Sequence, residues 1–177
     1  AAIALIDGDE GGHRQAIREI LNNTNADAIE RLDVESALEE MDRPADERAV
    51  RRLIGAAITN DVSTIRSLAK TFDVNRADTR DNQTAISFAV NGNHPEAVGA
   101  LLEAGANPNQ RDRSGATVLH HAVCRRRGAA VVRLLLEHGA DPHLTDNDGR
   151  TVLEVAHDAG WERNIKLIEA AIHCSDD

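Results

Sequence analysis

Three side chains with metal-ligand chemistry lie close together in the sequence: His120, His121 and Cys124. His120 and Cys124 are four residues apart, so one helical turn would place them on the same face. A structural zinc site takes about four ligands, and this segment offers three at most. The other cysteine, Cys174, follows a histidine near the end of the chain and has no third group beside it. The sequence therefore predicts no metal site.

Motifs for nucleophilic catalysis or phosphate binding are missing from the sequence. No Gly-x-Ser-x-Gly segment is present to form a nucleophile elbow. A phosphate loop combines a glycine-rich turn with a lysine, and the only lysines, Lys70 and Lys166, follow no such turn. We therefore predict that the protein is not an enzyme and uses no cofactor.

The most unusual local feature is a run of three arginines, Arg125–Arg127. Cations at the C-terminal end of a helix are stabilised by the helix dipole, and long arginine stems tolerate close packing. The same guanidinium groups form bidentate pairs with carboxylates and phosphates. The run therefore indicates either a structural helix end or a binding group, and the sequence leaves both open.

Composition restricts the class of protein. The 177 residues are 41% hydrophobic and 28% charged, which is enough for a core, but only 2% are aromatic. The core must therefore consist of Leu, Ile, Val and Ala. No apolar run is long enough to cross a bilayer, no signal peptide is visible, and two cysteines cannot form a disulfide scaffold. These features predict a cytoplasmic or nuclear protein.

The net charge of −10 is distributed unevenly and argues against general nucleic-acid binding. Residues 1–49 carry thirteen acidic and five basic side chains, a net charge of −8. Residues 50–145 carry nine acidic and twelve basic side chains, a net charge of +3. Residues 146–177 carry eight acidic and three basic side chains, a net charge of −5. A mildly basic middle therefore lies between two acidic ends.

The chain repeats itself about every 33 residues. A block that begins with threonine occurs at Thr84–Ser87, Thr117–His120 and Thr151–Glu154, so the threonines are 33 and 34 residues apart. A second block occurs at Leu101–Asn109 and again at Leu135–His143. Because two separate landmarks share one period, the sequence contains an internal repeat.

Residues 112–144 resemble the ankyrin repeat. Asp112 and Gly115 match the turn residues of that family, and Gly139 matches its closing glycine. The resemblance also gives His120 the place of the family's structural histidine, whose ring hydrogen-bonds neighbouring backbone. It thereby implies a structural role for His120 rather than metal binding.

The resemblance extends over residues 47–172 and implies four repeats. Their expected bounds are about 47–78, 79–111, 112–145 and 146–172. Asn82 replaces the turn glycine of the second repeat, and one residue is inserted near residues 125–127. The implied fold class is all-α: an ankyrin-like α-solenoid of stacked helix-turn-helix units with hairpin-like loops.

The local sequence of the third repeat supports a helix pair independently of the family. Thr117 is expected to cap the first helix by accepting a backbone N–H. Leu119, Ala122 and Val123 then share one helical face. Gly139 suits the left-handed residue that ends the second helix. Because neither helix can bury its apolar face alone, the repeats must stack.

The two ends of the chain are expected to cap the solenoid. Residues 1–46 are interpreted as a degenerate N-terminal repeat with an inserted acidic helix. The charged second helix of the last repeat closes the other end, and residues 173–177 form a tail. Trp161 is expected to pack across that end, and the alternative for Trp161 is a ligand-binding role.

The resemblance implies a non-enzymatic module for protein–protein interaction. In ankyrin-like stacks the hairpin tips and the outer faces of the first helices form one concave surface. The residues that the repeat register places there, here called the concave face, are Arg80, Asp81, Gln83, Asn91, Arg111, Arg113, Ser114, Arg125, Asn147, Asp148, Arg150 and Asp158. Because arginine pairs with carboxylate and phosphate, we expect an acidic or phosphorylated protein or peptide partner, and neither nucleic acid nor a membrane.

A second hypothesis starts from the acidic N-terminal segment. Its predicted helix at residues 28–41 presents Glu30, Asp33, Glu39 and Glu40 outward. Such a surface either keeps the cap soluble or covers a basic surface of a partner. In the second case the protein would be a regulatory inhibitor, and the sequence leaves both roles open.

Overall fold

The computed structural model describes residues 45–78, 80–124 and 128–175. The backbone in these ranges forms eight helices and no strand. In chain order they are α1 (Ala45–Thr59), α2 (Val62–Leu68), α3 (Ala85–Gly92), α4 (Pro95–Glu103), α5 (Val118–Cys124), α6 (Ala129–Glu137), α7 (Val152–Asp158) and α8 (Glu162–Ser175). The all-α fold class predicted from the sequence is confirmed. Among these helices, none combines the length and the apolar character that a membrane span requires.

The helices lie in two rows. In the first row α3 packs against α5, and α5 packs against α7. In the second row α2 packs against α4, α4 against α6, and α6 against α8. The rows are joined by the pairs α3–α4, α5–α6 and α7–α8. Each helix from α3 to α8 therefore contacts its pair partner and at least one counterpart in a neighbouring layer, which is the arrangement of a solenoid.

Equivalent apolar residues fill the first row. The side chains of Leu53, Ile86 and Leu119 are 1% exposed or less, and they occupy equivalent places in successive layers, as the repeat register predicts. Leu153 is the next equivalent residue, and it is only partly buried. The difference arises because α7 belongs to the last layer that the structure describes.

Alanine recurs at one buried position of the first helices. Ala56, Ala89, Ala122 and Ala156 recur at the repeat period and are 6% exposed or less. A methyl side chain leaves little distance between helix backbones, and a larger one would force the layers apart. The scarcity of aromatic residues in the sequence therefore follows from how tightly the layers pack.

The threonines that precede the first helices behave differently from one another. The Thr151 hydroxyl accepts the backbone N–H of Glu154, while the Glu154 carboxylate accepts the N–H of Thr151 at 2.7 Å, which is a capping box. At Thr117 the structure differs from the expected backbone cap. The Thr117 hydroxyl lies 2.9 Å from Nδ1 of His120, because the buried histidine ring requires a polar partner.

Asparagines connect the first helix of one layer to the second helix of the next. Asn60 and Asn93 follow α1 and α3 in a left-handed conformation, with φ of 58° and 57°, which asparagine tolerates better than most residues. Oδ1 of Asn60 accepts the N–H of Ala97 at 3.1 Å, and Oδ1 of Asn93 accepts the N–H of Gly128 at 3.0 Å. Each side chain thereby satisfies an N–H group that the start of α4 or α6 leaves without an intrahelical partner.

A second set of asparagines connects the loops that follow the second helices. Nδ2 of Asn75 donates to the carbonyl of Gly105 at 3.0 Å. One layer later, Nδ2 of Asn109 donates to the carbonyl of Gly139 at 2.9 Å, and its Oδ1 accepts the N–H of Asp141 at 2.8 Å. Because the same bond recurs at the repeat period, neighbouring layers are held in a fixed register.

The C-terminal end of the solenoid has a charged outer surface. Helix α8 buries Ile165 and Ile168 against the layer beneath it, and its other side exposes several charged residues. Those exposed residues are Glu162, Arg163, Lys166, Glu169 and His173. Trp161 is half-buried directly before α8. A polar outer face suits a terminal layer.

Some sequence-based predictions fall outside the described residues. These are the N-terminal repeat with its acidic helix, apart from its last two residues, and the arginine run Arg125–Arg127. The repeat boundaries and the separate tail remain predictions. All contacts discussed below belong to the compact unit that begins at Ala49.

Candidate partner-binding surface

Three hairpin tips, each shaped by an aspartate, precede the first helices. They are the first tip (residues 78–83), the second tip (residues 112–116) and the third tip (residues 146–150). In each tip one carboxylate oxygen, of Asp78, Asp112 or Asp146, accepts the backbone N–H of the tip's last residue, at 3.0, 3.1 and 2.9 Å respectively. Charged acceptors make strong hydrogen bonds to backbone donors, so each aspartate fixes the course of its tip.

Each tip turns through one residue with a positive φ. Asn82 has a φ of 55°, Gly115 of 76° and Gly149 of 77°. Glycine adopts this conformation without steric cost, and asparagine tolerates it. The replacement of the turn glycine by Asn82 therefore preserves the backbone path that the repeat requires.

Backbone hydrogen bonds join neighbouring tips into one continuous edge. The N–H of Arg113 donates to the carbonyl of Asp81 at 3.2 Å, and the N–H of Asn147 donates to the carbonyl of Ser114 at 2.9 Å. Nδ2 of Asn147 also donates to the carbonyl of Arg113 at 3.0 Å. Predicted concave-face residues on the three tips are thus held at fixed distances from one another.

Arg111 uses its guanidinium inside the array. Its Nε donates to the carbonyl of Gly115 at 2.9 Å, and its Nη2 donates to the carbonyl of Thr145 in the next layer. Both acceptors are backbone oxygens, so the side chain bridges two layers. The sequence predicts Arg111 as a partner-binding cation on the concave face, and the structure shows that two of its five N–H donors bond to backbone carbonyls.

Arg150 is paired within the third tip. Its guanidinium lies 2.9 Å from the Asp146 carboxylate and 3.3 Å from that of Asp148. The hydrogen bond to Asp146 is the main cause that raises the pKa of Arg150. In return, hydrogen bonds from Arg150 lower the pKa of Asp146. The bond from the backbone N–H of Arg150 has the larger effect, and the bond from its guanidinium has the smaller one. The third tip is therefore acidic on balance.

Arg80 and Arg113 present exposed side chains on the first and second tips. The guanidinium of Arg80 has no hydrogen bond within the described residues, although the exposed Asp81 beside it offsets part of its charge. Ser114 is also exposed, but its hydroxyl donates to Asp112 at 2.6 Å and so serves the tip. Arg125 is the other predicted arginine, and it lies outside the described residues.

His120 connects the start of α5 to the third tip. It is 3% exposed, its Nδ1 accepts the N–H of Thr117 at 3.2 Å, and its Nε2 lies 3.3 Å from the carbonyl of Arg150. A ring that accepts at Nδ1 must carry its proton on Nε2, which donates to Arg150. Burial lowers the pKa of His120, so the neutral form predominates at neutral pH. The structural role implied by the sequence resemblance is confirmed.

The buried His120 predicts how stability depends on pH. Its pKa is lower in the folded chain than the ordinary value of about 6.5 in the unfolded chain, so below that pH the unfolded chain binds the proton first. The contribution of His120 to stability is complete above about pH 6.5 and decreases as the pH falls towards the folded-state pKa, by at most about 1.4 kcal/mol per pH unit. Urea unfolding between about pH 5 and 7, where histidine titrates, measures this slope.

The control for this pH dependence is His120→Gln. Glutamine does not titrate, so the variant should show a shallower slope than the parent, whatever its absolute stability. The groups that interact with the ring, Asp146, Arg111 and His121, are kept in both proteins. Equal slopes in parent and variant would show that His120 titrates alike in the folded and unfolded chains.

His121 supports the second tip from the side. Its Nε2 lies 2.8 Å from Oδ2 of Asp112, and both side chains are mostly buried. Burial would raise the pKa of Asp112, but hydrogen bonds from Ser114 and His121 overcome that effect and the pKa is lowered. The Ser114 hydroxyl points to the carboxylate, so these three residues shape a turn and do not form a nucleophilic triad.

The repeated helix pairs and tips match a known family. A sequence model of ankyrin repeats in three copies matches residues 53–146 and, in a second register, residues 106–175. Together the two matches cover most of the chain, including the tips and both helix rows. The chain belongs to the ankyrin repeat family. Ankyrin repeats are non-enzymatic interaction modules, so the chain carries a protein–protein interaction module.

Two curated proteins are similar to short stretches of the chain. Neurogenic locus notch homolog protein 4 of Homo sapiens is 54% identical over 41 residues, which is 23% of this chain and 2% of that protein. Protein HOS4 of Saccharomyces cerevisiae is 48% identical over 56 residues, which is 31% of this chain and 5% of that protein. The chain thus spans a very small part of either relative.

The outer ends of the first ankyrin helices carry further surface residues. Asp158 is exposed and Asn91 is half-buried. The Oδ1 atom of Asn91 is buried without a hydrogen-bond partner in the described part of the chain. Ile58 and Cys124 occupy the same register position and are exposed, but the sequence-based set omitted them. Asn91 lies five residues after Ile86, and the same spacing from Leu53 and Leu119 leads to Ile58 and Cys124.

The three side chains that the sequence offered as metal ligands make different contacts in the ankyrin fold. Both ring nitrogens of His120 are engaged, and His121 contacts Asp112. Cys124 is exposed at the end of α5. Over the residues that the structure describes, no cluster of three or more metal-binding side chains occurs.

Proposed function

We propose that this ankyrin array binds a protein or peptide along its concave face. The observation that carries the proposal is the hydrogen-bonded edge of tips, in which Arg113 bonds to Asp81 and Asn147 bonds to Ser114. A surface whose backbone is already fixed loses little conformational entropy when a partner binds, and this favours affinity. Exposed side chains on such an edge are suited to recognition.

The proposed partner is acidic or phosphorylated where it meets the first two tips. Arg80 and Arg113 are exposed residues there and carry positive charge. Guanidinium groups select carboxylates and phosphates by paired hydrogen bonds. A cytoplasmic or nuclear location belongs to the same proposal, since two cysteines provide no disulfide scaffold.

The test is binding of the full chain to an array of peptides that vary in acidity and phosphorylation. The double variant Arg80→Glu with Arg113→Glu is expected to lose at least about tenfold in affinity for acidic peptides, because like charges then face each other. Arg133→Glu is the matched control, since Arg133 is exposed on the second-row helix α6. Equal losses in both variants, or no loss in either, would contradict the assignment of the concave face.

The alternative role of the acidic N-terminal segment is tested in the same assay. Replacing Glu39 and Glu40 with glutamine removes charge from the predicted acidic helix and leaves the chain length unchanged. The inhibitor hypothesis replaces the proposal if two results occur together. The glutamine variant must no longer bind basic peptides, and the arginine double variant must bind acidic peptides as the parent does. We expect instead that the glutamine variant binds acidic peptides as the parent does.

A further inference from the structure

The ends of the first helices form a row whose chemistry changes from layer to layer. Ile58, Asn91, Cys124 and Asp158 each lie five residues after the apolar residue that anchors their helix, so they occupy equivalent positions. The neighbouring row is uniformly alanine because packing requires it. The outer row instead presents an aliphatic group, an amide, a thiol and a carboxylate in order.

The aliphatic end of the row is open to solvent. Ile58 is 51% exposed, and no other large hydrophobic side chain in the described part of the chain is exposed to this degree. Polar residues follow it directly, Thr59 and Asn60. Covering Ile58 with an apolar partner side chain would remove hydrocarbon surface from water, which favours binding.

The opposite end of the row is acidic. Asp158 and Glu154 are exposed on α7, and the side chain of Asp148 on the adjoining third tip is 77% exposed. Arg150 offsets one of these charges through its contact with Asp148. Along the array between these ends lie the exposed residues Arg80 and Arg113 of the first and second tips. Complementary charge selects partners and fixes their orientation.

We propose that the concave face binds an extended peptide in one orientation. A branched apolar residue covers Ile58, an acidic or phosphorylated residue faces Arg80 and Arg113, and a lysine or arginine faces Asp158. The inference rests on the proposed function and adds order and spacing to it.

The spacing follows from general geometry. Packed helices lie about 9 Å apart, and an extended chain advances about 3.3 Å per residue, so each layer accommodates about three peptide residues. Ile58 and Asp158 are three layers apart. Three layers span about 27 Å, so the apolar and basic residues of the peptide should be about eight positions apart.

The experiment selects binders to the full 177-residue chain from a bead-displayed library of random peptides about 15 residues long. Selected peptides should share an apolar and a basic position at that spacing. Asp158→Lys should replace the preference for lysine or arginine with one for aspartate or glutamate, and should weaken a parent-selected peptide at least about tenfold. Ile58→Ser should lose the apolar preference, and the conservative control Ile58→Leu should keep it.

Two results would overturn the inference, and they differ in what they imply for the proposed function. Peptides that depend on Arg80 and Arg113 but show no common spacing and no response to Asp158→Lys would overturn the inference alone. Peptide selection that is identical for the parent, the arginine double variant and Asp158→Lys would overturn both. Thermal unfolding followed by circular dichroism establishes that each variant is folded.

Discussion

Leu135→Ala is expected to lower the free energy of unfolding by about 2–5 kcal/mol. Leu135 is fully buried in α6, which packs against α4, α5 and α8. Removing its isobutyl group leaves a cavity shared by three neighbouring helices, and such a cavity collapses only partly. Urea unfolding followed by circular dichroism measures the loss.

Leu136→Ala is the matched control for Leu135→Ala. It removes the same atoms from the next residue of α6, but Leu136 is only partly buried. Its cost should be clearly smaller, because less hydrocarbon returns to water and no closed cavity forms. If the two variants lost equal stability, the register of α6 against its neighbours would be wrong.

Gly115→Ala is expected to have the second-largest effect, about 2–4 kcal/mol. Gly115 has a φ of 76°, which costs a residue with a side chain about 1–2 kcal/mol. A Cβ at this position would also lie 2.8 Å from the backbone N of Asn147 and collide with its Oδ1. The substitution therefore strains the second tip and separates it from the third.

Gly139→Ala separates these two causes. Gly139 has a similar φ of 83°, but a Cβ there would meet no atom within 4 Å. Gly139→Ala should lower the free energy of unfolding only by the cost of placing a side chain at positive φ, about 1–2 kcal/mol. The difference between the glycine variants in urea unfolding then reports the contact between tips, and no difference would mean that the third tip moves aside without cost.

The fold was predictable because the repeat period determines most of it. Once Thr84, Thr117 and Thr151 are aligned, the buried positions of Ile86 and Leu119 follow from helical periodicity. The left-handed backbone at Gly139, which has a φ of 83°, follows from the few residue types that tolerate it. These predictions require no knowledge of which side chains bond to which.

The hydrogen-bond partners of the proposed binding residues were less predictable, because such partners depend on three-dimensional contacts. Arg111 and Arg113 are two residues apart in one tip, and the sequence assigned both to partner binding. Only the structure shows that the Arg111 side chain bonds to backbone carbonyls of two layers. For the same reason Thr117 was expected to cap α5 by accepting a backbone N–H, whereas its hydroxyl contacts the ring of His120.

The side chains of Asn60 and Asn93 belong to two layers at once, and this limits how the protein can change. Each ends a helix in its own repeat and bonds to a backbone N–H in the following one. A repeat transplanted into this chain as a cassette would therefore have to supply the correct junction to its new neighbour. Exchanging two adjoining repeats together would keep the bond that joins them.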